Sequence, residues 1–452
     1  MTAERTHPTL RIGHSPALRG VCSVPGDKSI SHRALLFGAL CRGTVEISGL
    51  GLGGDNASTA GVLRALGVAI AVDGTSAWVA GCGFAGLREA ASVLDCGNSG
   101  TTMRLFCGLL AGRPFASTLG GDPSLSRRPM GRVAKPLRLM GATLEGQPDP
   151  ARPDGILPPL VVRGGELHGV DYALPVASAQ LKSALVLAGL QAKGKTILEE
   201  PDLSRDHTER MLGFLGAPLR AEPEHRRIVV DPEGWSGELR PVPVEVPGDL
   251  SSAAFLLVAA ATVPGSDVTV ERVGLNPTRT GVLDVLRLMG ANIEVTETSQ
   301  AMGEPLGRVR VRHVGPLRAT RIAGALALRS IDEIPALAVL CASAEGCSEF
   351  ADLAELRVKE SDRIACIARE LRRAGVEVAE ARDGFTVTGH GGRPLQGGRA
   401  EPDRDHRIAM AAAVLGLLSE EETQVPSEDI ATSFPTFADI LRGLGANVAN
   451  QE

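Results

Sequence analysis

Leu137-Arg-Leu-Met-Gly-Ala142 recurs unchanged as Leu286-Arg-Leu-Met-Gly-Ala291, 149 residues further along the chain. Looser copies keep the first leucine, the glycine four residues later, and a following alanine or valine. These copies begin at Leu63, Leu212, Leu371 and Leu441. The glycines of successive copies lie 70 to 85 residues apart, so the repeat divides the 452 residues into six units. Repeats of this length predict one supersecondary unit each.

Each copy predicts the end of a helix, because its glycine can take the left-handed conformation that terminates helices. The residues that follow alternate in polarity as a strand does, for example over Val68–Val72. A second helix recurs once per unit and is apolar nearly all round, which predicts burial on several sides. Its copies cover residues 29–40, 100–111, 178–190, 250–262, 333–344 and 405–418. Each unit is therefore expected to contain two helices and several short strands.

The two halves of the chain resemble each other. Val24-Pro-Gly-Asp27 precedes the first buried helix, and Val246-Pro-Gly-Asp249 precedes the fourth, three units later. We therefore predict an α/β (α+β) fold of two pseudo-threefold domains with three repeats each. Residues 22–243 are expected to form the first domain, and residues 1–21 with 244–452 the second. The proline-rich segment Arg240–Val244 marks the predicted crossover.

Composition excludes several classes of protein. The net charge of −6 disfavours a general binder of nucleic acid or anionic membranes. The most apolar runs, such as Ala253–Val263, are shorter than the ~20 residues of a spanning helix. The first residues lack the apolar stretch of a signal peptide, and the eight cysteines form no CxxC pair. We expect a cytoplasmic protein with reduced thiols, and the scattered histidines predict no metal site.

Polar clusters open the buried helices. They are Asp27-Lys28-Ser29, Asn98-Ser99-Gly100-Thr101, Ser178-Ala179-Gln180, Asp249-Leu250-Ser251-Ser252, Asp332-Glu333 and Asp405-His406-Arg407. Helix capping explains many of these residues, and it suffices for Asp249, Ser251 and Ser252. Capping does not require Lys28, Gln180, His406 or Arg407. Helix N-termini attract anions, so parallel buried helices would create a site for polyanionic ligands.

Basic residues cluster near the same helix starts. They are Arg33, Arg104, Arg127, Arg128, Lys359 and Arg363. Each segment alone is compatible with ordinary surface ion pairs. Their occurrence at equivalent places in several repeats favours a shared anion site.

These motifs resemble those of the EPSP synthase family, which are enolpyruvyl transferases. The similarity covers residues 15–445. It is carried by Pro25-Gly-Asp-Lys-Ser-Ile-Ser-His-Arg33, Gly97-Asn-Ser-Gly-Thr-Thr-Met-Arg104, Arg128-Pro-Met130, Ser178-Ala-Gln180, Arg357-Val-Lys-Glu-Ser-Asp-Arg363 and Asp405-His-Arg407. The resemblance implies an inside-out α/β barrel fold, with three βαβαββ repeats per domain and an active site in the cleft between the domains. Ala179 and Arg205–Glu209 resemble the second bacterial class of the family.

The resemblance implies transfer of the enolpyruvyl group of phosphoenolpyruvate to the 5-hydroxyl of shikimate 3-phosphate. Phosphate leaves after addition and elimination, on the shikimate pathway to chorismate and aromatic amino acids. The family uses no metal or organic cofactor. A monomer is expected, with the inhibitor glyphosate competing for the phosphoenolpyruvate site. Gly100 predicts glyphosate sensitivity because a methyl group there would intrude, whereas similarity to the second class favours tolerance.

The resemblance also assigns roles to residues. Residues expected to bind phosphoenolpyruvate are Lys28, Gly100, Arg128, Gln180, Arg363 and Arg407. Residues expected to bind shikimate 3-phosphate are Lys28, Ser29, Arg33 (at its carboxylate), Ser178, Ala179, Gln180, Arg205, Asp332 and Lys359. The expected catalytic residues are Asp332 as base, Glu360 as proton donor, and Lys28 and His406 near the leaving phosphate. Which carboxylate moves which proton stays open, because coupled groups share their titrations.

Other interpretations stay open at this point. The alternative enzyme transfers enolpyruvate to UDP-N-acetylglucosamine, but its reactive cysteine has no counterpart in Ser117–Arg132. A non-catalytic phosphometabolite-binding protein would not need Asp332 and Glu360. An RNA-processing relative is disfavoured by the acidic net charge. Ser433 stands where many family members have a lysine, so one phosphoenolpyruvate contact is expected to be lost or replaced.

Overall fold

The structure is a computed structural model, and it describes residues 8–153 and 155–451. The first seven residues, where we sought a targeting signal, lie outside this description. They are also the beginning of the segment 1–21 that we predicted to belong to the second domain. Helices are numbered along the chain. They are α1 Lys28–Leu40, α2 Gly54–Ala65, α3 Gly100–Ala111, α4 Gly131–Leu139, α5 Ala179–Gly189, α6 His207–Phe214, α7 Leu250–Thr262, α8 Gly281–Leu288, α9 Gly324–Arg329, α10 Ile334–Ser343, α11 Arg363–Arg373, α12 His406–Leu417, α13 Ser427–Ala431 and α14 Phe437–Gly443.

Strands are short and are numbered in the same way. They are β1 Thr9–Ile12, β2 Arg19–Ser23, β3 Arg42–Ser48, β4 Ala69–Asp73, β5 Ser76–Cys82, β6 Leu94–Asp95, β7 Ala116–Gly120, β8 Thr143–Pro148, β9 Ile156–Arg163, β10 Leu167–His168, β11 Asp171–Ala173, β12 Ala192–Lys193, β13 Thr196–Glu199, β14 Leu219–Glu222, β15 Arg227–Val230, β16 Val244–Glu245, β17 Asp267–Gly274, β18 Asn292–Ala301, β19 Glu304–Arg312, β20 Arg321–Ile322, β21 Cys347–Phe350, β22 Glu377–Ala381, β23 Gly384–Thr388, β24 Gly398–Arg399, β25 Thr423–Pro426 and β26 Val448–Gln451.

One sheet topology recurs six times in the described part of the chain. The strand orders are β16-β3-β5-β4, β6-β7-β9-β8, β11-β13-β15-β14, β2-β17-β19-β18, β20-β21-β23-β22 and β24-β25-β1-β26. In each sheet the first two strands pair in parallel, and the second and third pair antiparallel. A parallel pair needs a crossover, and a buried helix supplies it, as α3 does between β6 and β7. This is the predicted βαβαββ repeat.

The predicted helices lie where the sequence indicated. The more apolar set corresponds to α1, α3, α5, α7, α10 and α12, with ends within one or two residues of the prediction. All residues of α7 and of α12 are buried, and α7, α10 and α12 pack against one another. A helix surrounded by helices and strands has no solvent face, which explains its lack of a polar stripe. No helix in the described ranges is long and apolar enough to cross a bilayer.

The repeated glycines terminate the other helices. Gly67, Gly141, Gly216, Gly290, Gly375 and Gly445 follow α2, α4, α6, α8, α11 and α14, with φ between 80° and 108°. A side chain with a Cβ is strained in this conformation, so glycine is the residue that ends each helix cleanly. The predicted helix ends are therefore confirmed.

The chain divides into two compact units. The first unit contains Gly26–Pro247 and Gln300–Glu304, and the second contains the chain up to Pro25 with Gly248–Ser299 and the chain from Pro305. Both boundaries fall four residues after the predicted ones. The reason is strand pairing, since β2 belongs to the sheet of β17 and β16 to the sheet of β3. The proline-rich segment that we took for the crossover therefore lies inside the first unit.

Candidate active site

The start of α1 carries the first predicted cation. Asp27 caps the helix, with its Oδ1 accepting from the backbone N–H of Ile30 at 2.8 Å. Lys28 is the first helical residue, and its Nζ donates to Oδ2 of Asp55 at 3.1 Å. The side chains of Lys28 and Asp55 keep 24% and 26% of their exposure, so the lysine stays accessible to a ligand. Ser29 follows it and is half-buried.

The N-termini of α3 and α5 lie side by side in the first unit. Gln180 donates from Nε2 to Oγ1 of Thr101 at 2.9 Å, and its Oε1 accepts from Nη1 of Arg104 at 2.6 Å. Ser99 caps α3, and Ser178 caps α5. The positive ends of two helices and an arginine are thus brought together, an arrangement that favours anions.

Gly100 begins α3 directly beneath guanidinium groups. A Cβ at this position would lie 2.7 Å from Nη1 of Arg104 and 3.4 Å from Nη1 of Arg128. Arg128 itself donates from Nη2 to Oδ1 of Asn98 at 2.5 Å. The glycine therefore lets two arginines approach the helix end, and a methyl group would displace at least the tip of Arg104.

Arg33 is almost completely buried in the first unit. Its three hydrogen bonds all go to neutral oxygens: Oγ1 of Thr208 at 2.7 Å, Oγ of Ser183 at 2.8 Å and the carbonyl of Ser29 at 3.0 Å. Burial lowers the pKa of Arg33 to about 10, with the nearby Glu209 and Asp27 acting in the opposite direction. Arg33 therefore stays positively charged at neutral pH although it is buried.

The predicted contacts for the phosphate of shikimate 3-phosphate lie around the start of α5. Ser178 and Ala179 are half-buried, and the Ser178 hydroxyl accepts from the backbone N–H of Leu181 at 3.4 Å. Arg205 lies in the loop between β13 and α6 and is also half-buried. The charge of Arg205 lowers the pKa of Arg33, so the two cations are close enough to interact.

The second unit holds a buried ion cluster around Arg363, the first residue of α11. The Arg363 side chain is 1% exposed. It donates to Oδ2 of Asp405 at 2.8 Å, to Oε2 of Glu360 at 2.8 Å and to Oδ1 of Asp332 at 3.3 Å. Burial would lower the pKa of Arg363, but these three carboxylates outweigh burial and raise it. Burial likewise opposes ionisation of Asp405, yet Arg363 holds the pKa of that carboxyl below 3.8.

Asp332 is surrounded by cations at the start of α10. Nζ of Lys359 lies 3.6 Å from its Oδ1, and Nη2 of Arg407 lies 3.9 Å from its Oδ2. Arg407 also donates from Nη1 to the backbone carbonyl of Asp332 at 2.9 Å. His406 opens α12 next to Arg407 and is buried, whereas Glu360 keeps 27% of its side-chain exposure. The second unit therefore brings together Asp332, Lys359, Glu360, Arg363, His406 and Arg407, as the sequence predicted them to cluster.

One capping interpretation needs correction. Asp249 does cap α7, accepting from the backbone N–H of Ser251 at 2.9 Å. Ser251 does not cap the helix, because its hydroxyl donates to Glu333 and accepts from Nη2 of Arg279 at 2.7 Å. Glu333 is fully buried, and Nη2 of Arg279 lies 3.8 Å from its Oε1, so Arg279 partly compensates its negative charge. Arg279 is 30 residues from Asp249 in sequence, so capping rules alone could not find it.

Sequence reasoning missed several residues that hold the predicted ones. Asp55 pairs with Lys28, Asp405 anchors Arg363, and Thr208 and Ser183 hold Arg33. Asp405 gave a signal, since it directly precedes His406-Arg407, but a helix cap explained it fully. The other residues have no local signature, because their role depends on partners far away in the chain.

The fold is that of the enolpyruvyl transferases. The enolpyruvyl transferase NikO from Streptomyces tendae has a similar structure, with a TM-score of 0.77 over 98% of this chain and 99% of that one. Its sequence identity is only 19%, so this similarity concerns the fold alone.

Closer relatives identify the family. The sequence profile of EPSP synthase (3-phosphoshikimate 1-carboxyvinyltransferase) matches residues 13–441. The 3-phosphoshikimate 1-carboxyvinyltransferase of Synechococcus sp. (strain RCC307) is 52% identical over 435 residues, covering 95% of this chain and 97% of the relative. EPSP synthase of Acinetobacter baumannii is 40% identical with a TM-score of 0.87, over 98% of this chain and all of that one. The chain belongs to the EPSP synthase family, and it has 3-phosphoshikimate 1-carboxyvinyltransferase activity in the shikimate pathway.

Proposed function

We propose that the two groups of side chains act on one pair of substrates, phosphoenolpyruvate and shikimate 3-phosphate. The observation that carries this proposal is the clustering of Asp332 and Glu360 around the buried Arg363. Binding anions requires only cations, whereas proton transfer requires carboxylates next to them. Both substrates carry a phosphate and a carboxylate, so a site for them needs several cations such as Lys28, Arg128 and Arg363.

Shikimate 3-phosphate is assigned mainly to the first unit. Arg33 and Ser29 would contact its carboxylate side, and Ser178, Ala179 and Arg205 its phosphate. Gln180 would lie against the ring, since it is oriented by Thr101 and Arg104. Lys28, Asp332 and Lys359 would meet the region of the 5-hydroxyl. Arginine suits these contacts because its planar fork binds oxyanions in a fixed geometry.

Phosphoenolpyruvate is assigned to Lys28, Gly100, Arg128 and Gln180 together with Arg363 and Arg407. Arg363 is already oriented by Asp405, so little side-chain entropy is lost when it binds an anion. Ser433, which replaces the lysine of many relatives, is not assigned a contact. Its hydroxyl oxygen is buried and has no hydrogen-bond partner in the described part of the chain.

The reaction proceeds in two steps. In the addition, Asp332 accepts the proton of the 5-hydroxyl while that oxygen forms a bond to carbon 2 of phosphoenolpyruvate, and Glu360 protonates the methylene carbon. In the elimination, the new methyl group returns a proton to the Glu360 carboxylate, the carbon–carbon double bond re-forms, and the bond to phosphate breaks. Lys28 and His406 stabilise the departing phosphate. No cofactor takes part, because both steps move only protons and the electron pairs of the substrates.

The test is phosphate release with phosphoenolpyruvate plus shikimate 3-phosphate, run beside phosphoenolpyruvate plus UDP-N-acetylglucosamine. We expect release only with the shikimate substrate. Lys28→Met and Asp332→Asn should each lower kcat a hundredfold or more. This is the usual effect of removing a group that transfers a proton or stabilises charge in the transition state. Lys193→Met is the matched control, since Lys193 forms a surface pair with Glu166 and is 68% exposed. Release with the sugar nucleotide, or full activity of Asp332→Asn, would contradict these assignments.

We further infer membership of the second bacterial class, a monomer and a cytoplasmic location. Ala179 and the segment Arg205–Glu209 support the class. The eight free thiols support a reducing compartment, and burial raises the pKa of several, such as Cys41 to about 12. Glyphosate is proposed to compete with phosphoenolpyruvate beside Gly100.

A further inference from the structure

Arg33 and Arg363 are both buried arginines, yet their partners differ in kind. Arg363 contacts three carboxylates, whereas among the described residues no carboxylate lies within ion-pair distance of Arg33. A buried charge without a counter-ion is costly, and proteins tolerate it where a ligand supplies the missing charge. Burial lowers the pKa of Arg33, and Glu209 and Asp27 oppose this shift without forming an ion pair with it, so its neutral direct contacts need a reason.

Two hydroxyl groups hold the guanidinium of Arg33. Thr208 is fully buried and accepts from Nε at 2.7 Å, and Ser183 is 1% exposed and accepts from Nη2 at 2.8 Å. The Ser183 hydroxyl donates its only proton to the carbonyl of Ala179 at 2.6 Å. The proton between Thr208 and Ser183, whose oxygens are 2.6 Å apart, must then come from Thr208. A series of hydrogen bonds therefore runs from Arg33 through the hydroxyls of Thr208 and Ser183 to the carbonyl of Ala179 in the first turn of α5.

The helix that carries Thr208 is anchored on both sides of this residue. His207 contacts Oε1 of Glu304 through Nδ1 at 2.8 Å, and Glu209 accepts from Nζ of Lys182 at 2.7 Å. All four side chains are buried. Three consecutive residues at the start of α6 are thus bound to three different segments, which leaves the Thr208 hydroxyl little freedom to move.

We propose that Thr208 and Ser183 are positioning residues that hold Arg33 through neutral hydroxyls, so that its full positive charge is directed to the carboxylate of shikimate 3-phosphate. This inference rests on the proposed function and deepens it. Carboxylate partners in place of the hydroxyls would orient the guanidinium equally well, but they would also neutralise it. Hydrogen bonds along such a chain strengthen one another, so losing either hydroxyl should loosen Arg33.

The test compares Thr208→Val with Thr208→Ser. Valine keeps the shape but removes the acceptor, so we expect the KM for shikimate 3-phosphate to rise tenfold or more, with the KM for phosphoenolpyruvate changed less than twofold. Serine restores the hydroxyl and should return the KM to within about threefold of the wild type. The expected tenfold rise for valine reflects the loss of one hydrogen bond to a charged group, which changes an equilibrium constant roughly tenfold or more. Thr196→Val is the matched control, because Thr196 is equally buried in the same unit and its hydroxyl oxygen has no hydrogen-bond partner among the described residues.

A ligand comparison separates positioning from a general structural effect. The wild type should bind shikimate 3-phosphate far better than its carboxamide analogue, and Thr208→Val should lose most of that preference. Ser183→Ala should behave in the same way, and the double variant should be little worse than either single variant, since both hydroxyls act through one arginine. Ser183→Ala also provides the test if Thr208→Val does not fold.

The results that would overturn the inference are specific. A KM for shikimate 3-phosphate in Thr208→Val equal to that of Thr196→Val would do so, as would equal losses for the substrate and its carboxamide. Failure of the proposed function gives a different pattern, because the wild type itself would then release no phosphate from the two substrates.

Discussion

Arg33 and Arg363 are both buried, but neutral hydroxyls hold the first and carboxylates hold the second. Arg363 is fixed by Asp405, which is completely buried and accepts two hydrogen bonds from it. Asp405 also caps α12 and accepts from the hydroxyl of Ser361 at 3.0 Å. One carboxylate thus orients the cation proposed to bind phosphoenolpyruvate and caps the start of a helix. Removing it should affect both catalysis and stability.

Asp405→Asn is the residue-scale prediction. It leaves Arg363 buried with one partner fewer, so we expect a loss of about 3–5 kcal/mol in the free energy of unfolding and a large fall in kcat/KM. Urea denaturation at pH 7 measures the first quantity, and initial rates measure the second. Arg372→Gln is a suitable control, since the ion pair of Arg372 with Glu380 is half-exposed.

The pH dependence of the same carboxyl provides an additional check. Its folded-state pKa lies below 3.8, so its stabilising effect is present above pH 3.8 and is lost as the pH falls through the lower folded-state value. The difference in stability between the wild type and Asp405→Asn should therefore shrink below about pH 4. A constant difference down to pH 2 would contradict this account.

At the scale of elements, hydrogen bonds between helices determine where the start of α3 lies. His32 in α1 contacts Oγ1 of Thr59 in α2 at 2.6 Å, and Thr59 contacts Oγ1 of Thr102 at 2.7 Å. Thr102 in turn donates to the Ser99 cap at 2.8 Å. Because Thr102 donates to Ser99, Thr59 must donate to Thr102, and His32 must donate from Nδ1. Burial lowers the pKa of His32 to about 3, so the ring is neutral.

Thr59→Val interrupts this network and is the prediction at the element scale. It leaves Nδ1 of His32 without its partner, while Thr102 keeps its bond to Ser99, and a buried unsatisfied group costs about 1–3 kcal/mol. We expect a lower melting temperature and a higher KM for phosphoenolpyruvate, because Gly100 sits at the displaced helix start. Thr59→Ser should behave as the wild type in thermal denaturation and kinetics. Equal melting temperatures for Thr59→Val and Thr59→Ser would show that the network does not stabilise the protein.

At the scale of the whole molecule, an acidic protein binds acidic substrates. The net charge is −6, yet Lys28, Arg104 and Arg128 lie near the starts of α1 and α3 in the first unit, and Arg363 and Arg407 lie at the starts of α11 and α12 in the second. The repeat explains why basic residues recur at helix starts within each unit, because each copy places the N-terminus of a buried helix at an equivalent point of its sheet.

Salt should therefore weaken substrate binding. Raising the ionic strength from about 0.01 M to about 0.15 M shortens the screening length from about 30 Å to about 8 Å. We expect the KM values of both anionic substrates to rise several-fold, with kcat changed much less. Sucrose at equal osmolarity is the control for solvent effects. Salt-independent KM values would argue against cation clusters as the main source of affinity.

Local patterns in the sequence determined the architecture. The glycines after Leu137 and Leu286 end helices because only glycine adopts their left-handed conformation without strain. The apolar helices are buried because they lack a polar stripe that could face water along their length. The recurrence of these local signals predicted the six repeats and the two halves, and the motifs at the helix starts predicted most of the candidate site residues.

Tertiary structure alone decided how those residues are held. Arg33 and Thr208 are 175 residues apart, and Arg363 and Asp405 are 42 apart. Nothing near Arg33 in sequence indicates that its partners are hydroxyls, and of the three carboxylates around Arg363 only Glu360 lies near it in sequence. Ser251 illustrates the same limit, since the sequence predicts a cap and the fold supplies Glu333 and Arg279. Periodicity and backbone conformation are local properties, whereas the charge around a buried group depends on segments that only folding brings together.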